Sequence, residues 1–182
     1  MSIYQQYQTE QRTALKKDLQ KKNIHQVPSL DKVVVSVGIG SLATRKGVKD
    51  FTDIEKNLAA ITGQKPVMIR SKKAISNFKL REDMPVMLKV TLRKDKAYNF
   101  LDKLTKIVLP RVRDFNGLNP KSFDPNNNFN IGLSSQAIFP ELIADESQAS
   151  TMGVQINVVT NAVTKEDAIA MMKTLGFIFI EK

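Results

Sequence analysis

Four stretches of this chain alternate, and the alternation narrows the folds open to it. In Val33–Ile39, the residues Val33, Val35, Val37 and Ile39 share one side, and Val34, Ser36, Gly38 and Gly40 share the other. In Val86–Arg93 the apolar side is Val86, Leu88, Val90 and Leu92, and the opposite side is Met87, Lys89, Thr91 and Arg93. Phe129–Leu133 and Val154–Thr160 repeat the pattern, with Asn130, Gly132, Gln155 and Asn157 turned away from the apolar side. A period of two marks strands with one buried face. Pro66–Arg70 reads as a further short strand.

The rest of the chain supplies helices to cover the apolar face. Residues 3–22 are polar helix formers with sparse apolar positions, so this helix is expected to be mostly exposed. That leaves Arg12, Lys16, Lys17, Lys21 and Lys22 available to a partner. In 47–62 the residues Val48, Phe51, Ile54, Leu58 and Ile61 recur at helical spacing, and Gly63 is placed to cap the C-terminus. Asp95 can cap a third helix with the face Ala97, Phe100, Leu101, Leu104 and Val108, ending before Pro110. Thr164 opens a last helix that Gly176 ends, and Phe177–Ile180 is a hydrophobic tail expected to dock. The reading is an α+β fold. It is a two-layer sandwich with a mostly antiparallel sheet, helices on one face and a polar face left open. The length suits one domain spanning 1–182, with an N-terminal helix at about 3–22 and a basic loop at about 71–85.

Charge falls on one part of the chain. Gln64–Lys96 holds ten Lys or Arg against three acids, a net +7 in a chain whose whole balance is +10. A focused positive patch suits a polyanion, because neutralised phosphates release condensed counterions; the plainer reading is a solvated basic surface. Between the two strands of this stretch lies the connection Ser71–Pro85, too long for a tight hairpin turn. There Phe78 stands among Lys72, Lys73 and Lys79. Lysines pair with phosphates and an aromatic stacks on a base; alternatively Phe78 packs the loop onto the domain.

Other chemistries find little support. The chain has no cysteine and a single histidine, His25, which excludes thiolate and His-rich metal sites, disulfides and a cysteine nucleophile. No apolar run reaches the roughly 18 residues of a membrane span, and no secretory signal is visible at the N-terminus. Gly38-Ile39-Gly40-Ser41-Leu42-Ala43 matches a Gly-x-Gly-x-x-Ala dinucleotide fingerprint after a strand. That reading, a nucleotide-dependent enzyme, needs a following parallel strand ending in an acid, and the next strand ends in Ile69-Arg70. The two glycines are better explained by close approach to the backbone.

Blocks in order along the chain carry a resemblance. They are Gln26-Val27-Pro28, Val37–Gly40, Leu58–Pro66, Lys89–Arg93, Leu109–Phe115, Lys121-Ser122-Phe123-Asp124 and Ile138-Phe139-Pro140-Glu141. They resemble the bacterial large-subunit ribosomal protein five family, the universal 5S rRNA binder, over about residues 3–179. The resemblance implies a non-enzymatic, cytoplasmic ribosomal protein that needs no cofactor and no metal and does not enter a membrane. It implies 5S rRNA and large-subunit rRNA as ligands and the proteins of the central protuberance as neighbours. It also implies contact with P-site tRNA and a bridge to a small-subunit head protein. Its 5S-contacting polar positions fall on Ser36, Gln64 and Thr91. With their neighbours they give the expected 5S set Ser36, Gly38, Gln64, Lys65, Lys89, Thr91 and Arg93. The tRNA loop maps onto Ser71, Lys72, Lys73, Phe78 and Lys79. Three departures stand out. Ser36 replaces the usual Asn, Pro125–Asn128 replaces a Gly-Arg-Gly turn, and Asp145–Thr151 lacks the usual basic residues.

Overall fold

Alternation becomes burial in the structure, a computed structural model describing residues 3–45, 47–48, 50–113, 115–142 and 151–180. Strands β1 (Leu30–Gly38), β2 (Val67–Arg70), β3 (Pro85–Leu92), β4 (Phe129–Leu133) and β5 (Val154–Thr160) form one antiparallel sheet ordered β2-β3-β1-β5-β4. Val33, Val35, Val37, Leu88, Val90, Leu92, Ile156 and Val158 are all buried. Gly38, Gln155 and Gly132, on the alternate positions, are exposed. The α+β expectation holds. The dinucleotide reading does not, because β1 lies between β3 and β5 in an antiparallel sheet and so lacks the parallel β-α-β unit that fingerprint requires.

The chain forms two compact units, 1–33 with 92–131 and 157–182, and 34–91 with 132–156. In the first, the N-terminal helix runs Ile3–Gln6, a π-helical turn Tyr7–Gln11, and Arg12–Asp18. It is less exposed than its polar composition suggests. Tyr7 and Leu15 are buried, and the Tyr7 hydroxyl donates to the Pro28 carbonyl at 2.8 Å. The Tyr7 ring lies 5.1 Å from that of Tyr98. Lys21 is also not free, since its ammonium meets the buried Asp167 carboxylate at 2.9 Å.

The helix starting at Lys94 does not stop before Pro110. It continues through a π-helical turn, Leu104–Val108, into Leu109–Arg111. Proline lacks the N–H for an i−4 bond and its ring crowds the carbonyl there; the wider π turn just ahead relieves both. In the last helix, Lys165–Thr174, the Thr164 side chain accepts from the Asp167 N–H, and Gly176 leaves it at φ +88°. The tail docks as expected. Leu118 N–H donates to the Ile178 carbonyl, Ile180 N–H returns to the Leu118 carbonyl, and the Phe179 ring meets Phe123 and Phe129.

The turn at Pro125–Asn128 is held by its own side chains. Asp124 Oδ1 accepts from the Asn126 and Asn128 N–H groups. Asn127 takes φ +61° and donates to the Ala162 and Val163 carbonyls. Asparagine tolerates the left-handed region better than other non-glycine residues, so the turn survives without glycine.

In the second unit the helix begins later than 47. Asp50 Oδ1 accepts from the Thr52 N–H and hydroxyl, which starts the helix at Thr52 and leaves Val48 in the preceding loop. The same two bonds hold the Asp50 carboxyl below its ordinary pKa. Ile54, Leu58 and Ile61 are buried, and Gly63 caps the end at φ +64° with its N–H on the Ala59 carbonyl. A shorter helix, Gly40–Arg45, follows β1.

Candidate nucleic-acid interface

The second unit gathers six of the seven residues expected at 5S rRNA. Thr62 shapes the approach to them, its hydroxyl donating to the Leu58 carbonyl at 2.7 Å and lying 3.1 Å from the Gln64 carbonyl. With Gly63 left-handed, the chain turns out of the helix toward β2, and the Gln64 amide donates to the Thr91 carbonyl at 3.4 Å. Two residues far apart in sequence are thereby joined. Lys89 and Thr91 are half-buried on β3, and Lys89 pairs across the sheet with Val67. Lys65 is exposed, and an added methyl at Gly38 would meet nothing within 4 Å. The strip therefore offers hydroxyl, amide and ammonium groups beside open backbone.

Ser36 departs from expectation. It lies on the polar side of β1, yet only 5 % of it is exposed, and its hydroxyl donates to the Gln155 carbonyl at 3.5 Å. Alternation assigns a residue to a face of the sheet but not how far its side chain reaches from it, so it cannot reveal this. Arg93 belongs to the first unit. It lies just past the end of β3, immediately before the helix at Lys94, with its guanidinium 3.5 Å from Asp31. Also in the first unit, the Asn157 amide donates to Asn130 Oδ1, and Asn130 donates to the Ser122 carbonyl at 3.4 Å. Those two asparagines spend much of their hydrogen-bonding capacity on protein.

The basic connection folds back on itself as an arm. The β2–β3 register ends with a shift at Ile69/Arg70. Pairing then resumes: Ser71 N–H donates to the Met84 carbonyl at 2.8 Å, and Asp83 N–H to the Ser71 carbonyl at 3.0 Å. Arg70 and Asp83 close the base of the arm with a 2.7 Å ion pair. Ile75 and Leu80 exchange backbone bonds around a turn, Ser76–Phe78, that Lys79 ends at φ +53°. Residues 72–79 are all exposed, and Phe78 is 72 % exposed, so its ring does not pack the arm into a core. Lys72, Lys73 and Lys79 pair with no acid among the described residues. Positive groups and an aromatic ring therefore meet solvent together.

The departure expected at 145–151 lies almost wholly outside the described residues. Among those described, no group of three metal-binding side chains assembles, and no helix is long and apolar enough to cross a membrane. Sequence pattern missed Ser41, Thr44 and Asn77, which line a depression beside the arm. The helix Gly40–Arg45 and the turn Ser76–Phe78 are too short to show periodicity, so no periodic signal marks them.

Residues 23–81 match the family model described as Ribosomal protein L5, and residues 85–179 match the model of the C-terminus of the same ribosomal protein family. The large ribosomal subunit protein uL5 of Thermosipho melanesiensis is 49% identical over 177 residues, covering 97% of this chain and 96% of that one. That of Thermus thermophilus is 45% identical over 179 residues, covering 98% and 97%. The large ribosomal subunit protein uL5c of Porphyra purpurea is 42% identical over 181 residues, covering 100% and 98%.

Proposed function

The chain belongs to the ribosomal protein L5 family and is a structural constituent of the large ribosomal subunit; from that premise we propose that it holds 5S rRNA on the β3 side of its sheet and reaches P-site tRNA with the β2–β3 arm. One observation carries the first half. Gln64 and Thr91, separate in sequence, are hydrogen-bonded neighbours beside Lys89 and Lys65. Polar groups that fix an RNA edge thus lie next to cations that take its phosphates. The exposed Phe78, with Lys72, Lys73 and Lys79 meeting no acid among the described residues, supports the second half. A lysine–phosphate contact carries no base information, which suits a site that every tRNA must occupy. On the same reading, neighbouring proteins of the central protuberance and a small-subunit head protein meet other surfaces of the chain.

The two halves separate by experiment. Thr91→Val keeps shape and β-branching but removes the hydroxyl, and Gln64→Ala removes the amide. Each should weaken 5S rRNA binding by about 1–3 kcal/mol. Replacing Lys72, Lys73 and Lys79 together with Ala should spare 5S affinity and speed tRNA dissociation from ribosomes reconstituted with the variant. Parental 5S affinity in both sheet variants would remove the sheet from the contact. Loss of 5S binding in the arm variant, with tRNA retention intact, would exchange the two roles.

A further inference from the structure

Between the helix Gly40–Arg45 and the tip of the arm lies an open groove of about 580 Å³. That falls within the roughly 300–1,000 Å³ of small-ligand sites. Leu80, Val86 and Gly40 give it apolar surface, and Phe78 gives it an aromatic ring that is otherwise left in water. Asn77, Ser41 and Thr44 add amide and hydroxyl groups. An adjoining depression shares Thr44 and Lys79 and adds Arg81. Neither cation has an acidic partner among the described residues, and neither lining contains an acid.

We propose that this groove holds one unstacked nucleotide of an RNA strand, its base against Phe78 and the Leu80–Val86 surface and its phosphate beside Lys79 and Arg81. The inference rests on the reading of the arm as an RNA-binding element and adds a defined subsite to it. Each part of a nucleotide finds its chemical counterpart. A base needs a flat apolar or aromatic surface, on which stacking is tolerant of sequence. A base edge needs a two-sided hydrogen-bonding group, which the Asn77 amide is. A phosphate needs cations that protein acids have not neutralised. The Thr44 hydroxyl donates to the Gly40 carbonyl at 2.8 Å, so its oxygen is left as an acceptor, suited to a ribose 2′-hydroxyl. An acceptor placed for that hydroxyl favours RNA over DNA. Glycine at position 40 keeps the apolar surface open. A methyl there would meet Val86 atoms at 3.6 Å, an ordinary contact that the fold can accept, while occupying space in the groove.

The test uses the full chain and a short single-stranded RNA carrying 2-aminopurine, whose fluorescence falls when the base stacks. We expect quenching on binding, weaker binding of the matching DNA, and about a tenfold loss of affinity in both Phe78→Leu and Gly40→Ala. Circular dichroism checks that both variants fold, and both should keep parental 5S rRNA affinity. A probe that binds without quenching, parental RNA affinity in both folded variants, or equal binding of RNA and DNA overturns the proposal. These outcomes are distinct from failure of the arm reading, which is read from tRNA dissociation in ribosomes carrying Ala at 72, 73 and 79 together, and from failure of the 5S reading, which is read from Thr91→Val and Gln64→Ala.

Discussion

Tyr7→Phe tests what ties the N-terminal helix to its unit. The substitution keeps the ring beside Tyr98, at a centroid separation of 5.1 Å, and removes one oxygen. That oxygen donates to the Pro28 carbonyl at 2.8 Å, and both residues are buried. An intramolecular hydrogen bond contributes about 0.5–1.5 kcal/mol net, and a buried carbonyl left unpaired costs about 1–3 kcal/mol. Phenylalanine no longer desolvates a hydroxyl, which offsets part of this, so the expected loss is about 1–2 kcal/mol. Tyr7→Ala also opens a cavity, raising the loss to about 3–5 kcal/mol. Urea unfolding at fixed pH, followed by circular dichroism, measures both. In a chain of this length each kcal/mol shifts Tm by about 2–4 °C. If Tyr7→Phe matched the parent within about 0.5 kcal/mol while Tyr7→Ala lost its full share, ring packing alone would be the anchor. The result also bears on RNA binding, because this helix carries the Lys16 and Lys17 side chains.

The proposed 5S interaction should weaken steeply with salt, and Lys89→Ala should lower the slope of log K against log salt by about one. Arg93→Ala should change it less, since Asp31 stands 3.5 Å from that guanidinium, and a salt series on both variants gives the comparison. Asn127→Ala removes two amide bonds to the Ala162 and Val163 carbonyls at a left-handed position, an expected loss of about 1–2 kcal/mol in urea unfolding. Asn127→Gly should lose less, because glycine keeps the backbone conformation. Burial holds the Tyr98 phenol up at about 12 against an ordinary 10.0, and burial beside Tyr98 raises Tyr7 as well. The folded state therefore keeps these protons that the unfolded chain releases. Their contribution to stability is whole below about pH 10 and is lost as pH rises toward and through the folded values. Tyrosinate absorbance should track this alkaline loss, and Tyr98→Phe should move its onset to higher pH.

Much of the molecule is written in local pattern. Alternation fixed which face of the sheet each strand residue takes, because a side chain's face in a pleated strand depends only on parity. The glycines at 63 and 176 marked helix ends, because both take positive φ where other residues are strained. The concentration of charge in Gln64–Lys96 is a property of composition, and in the structure it becomes the arm and the edge of the sheet. What tertiary structure decided depends on distance between segments. Sequence could not bring Gln64 onto the Thr91 carbonyl, nor hide Ser36 on a central strand, nor assign Arg93 to Asp31. It could not show that the long connection folds back on itself, since the Ile75–Leu80 and Ser71–Met84 bonds join backbone groups that carry no sequence signal. The groove at Gly40 and Phe78 exists only because a six-residue helix and a turn meet in space, and neither holds enough pattern to announce the other.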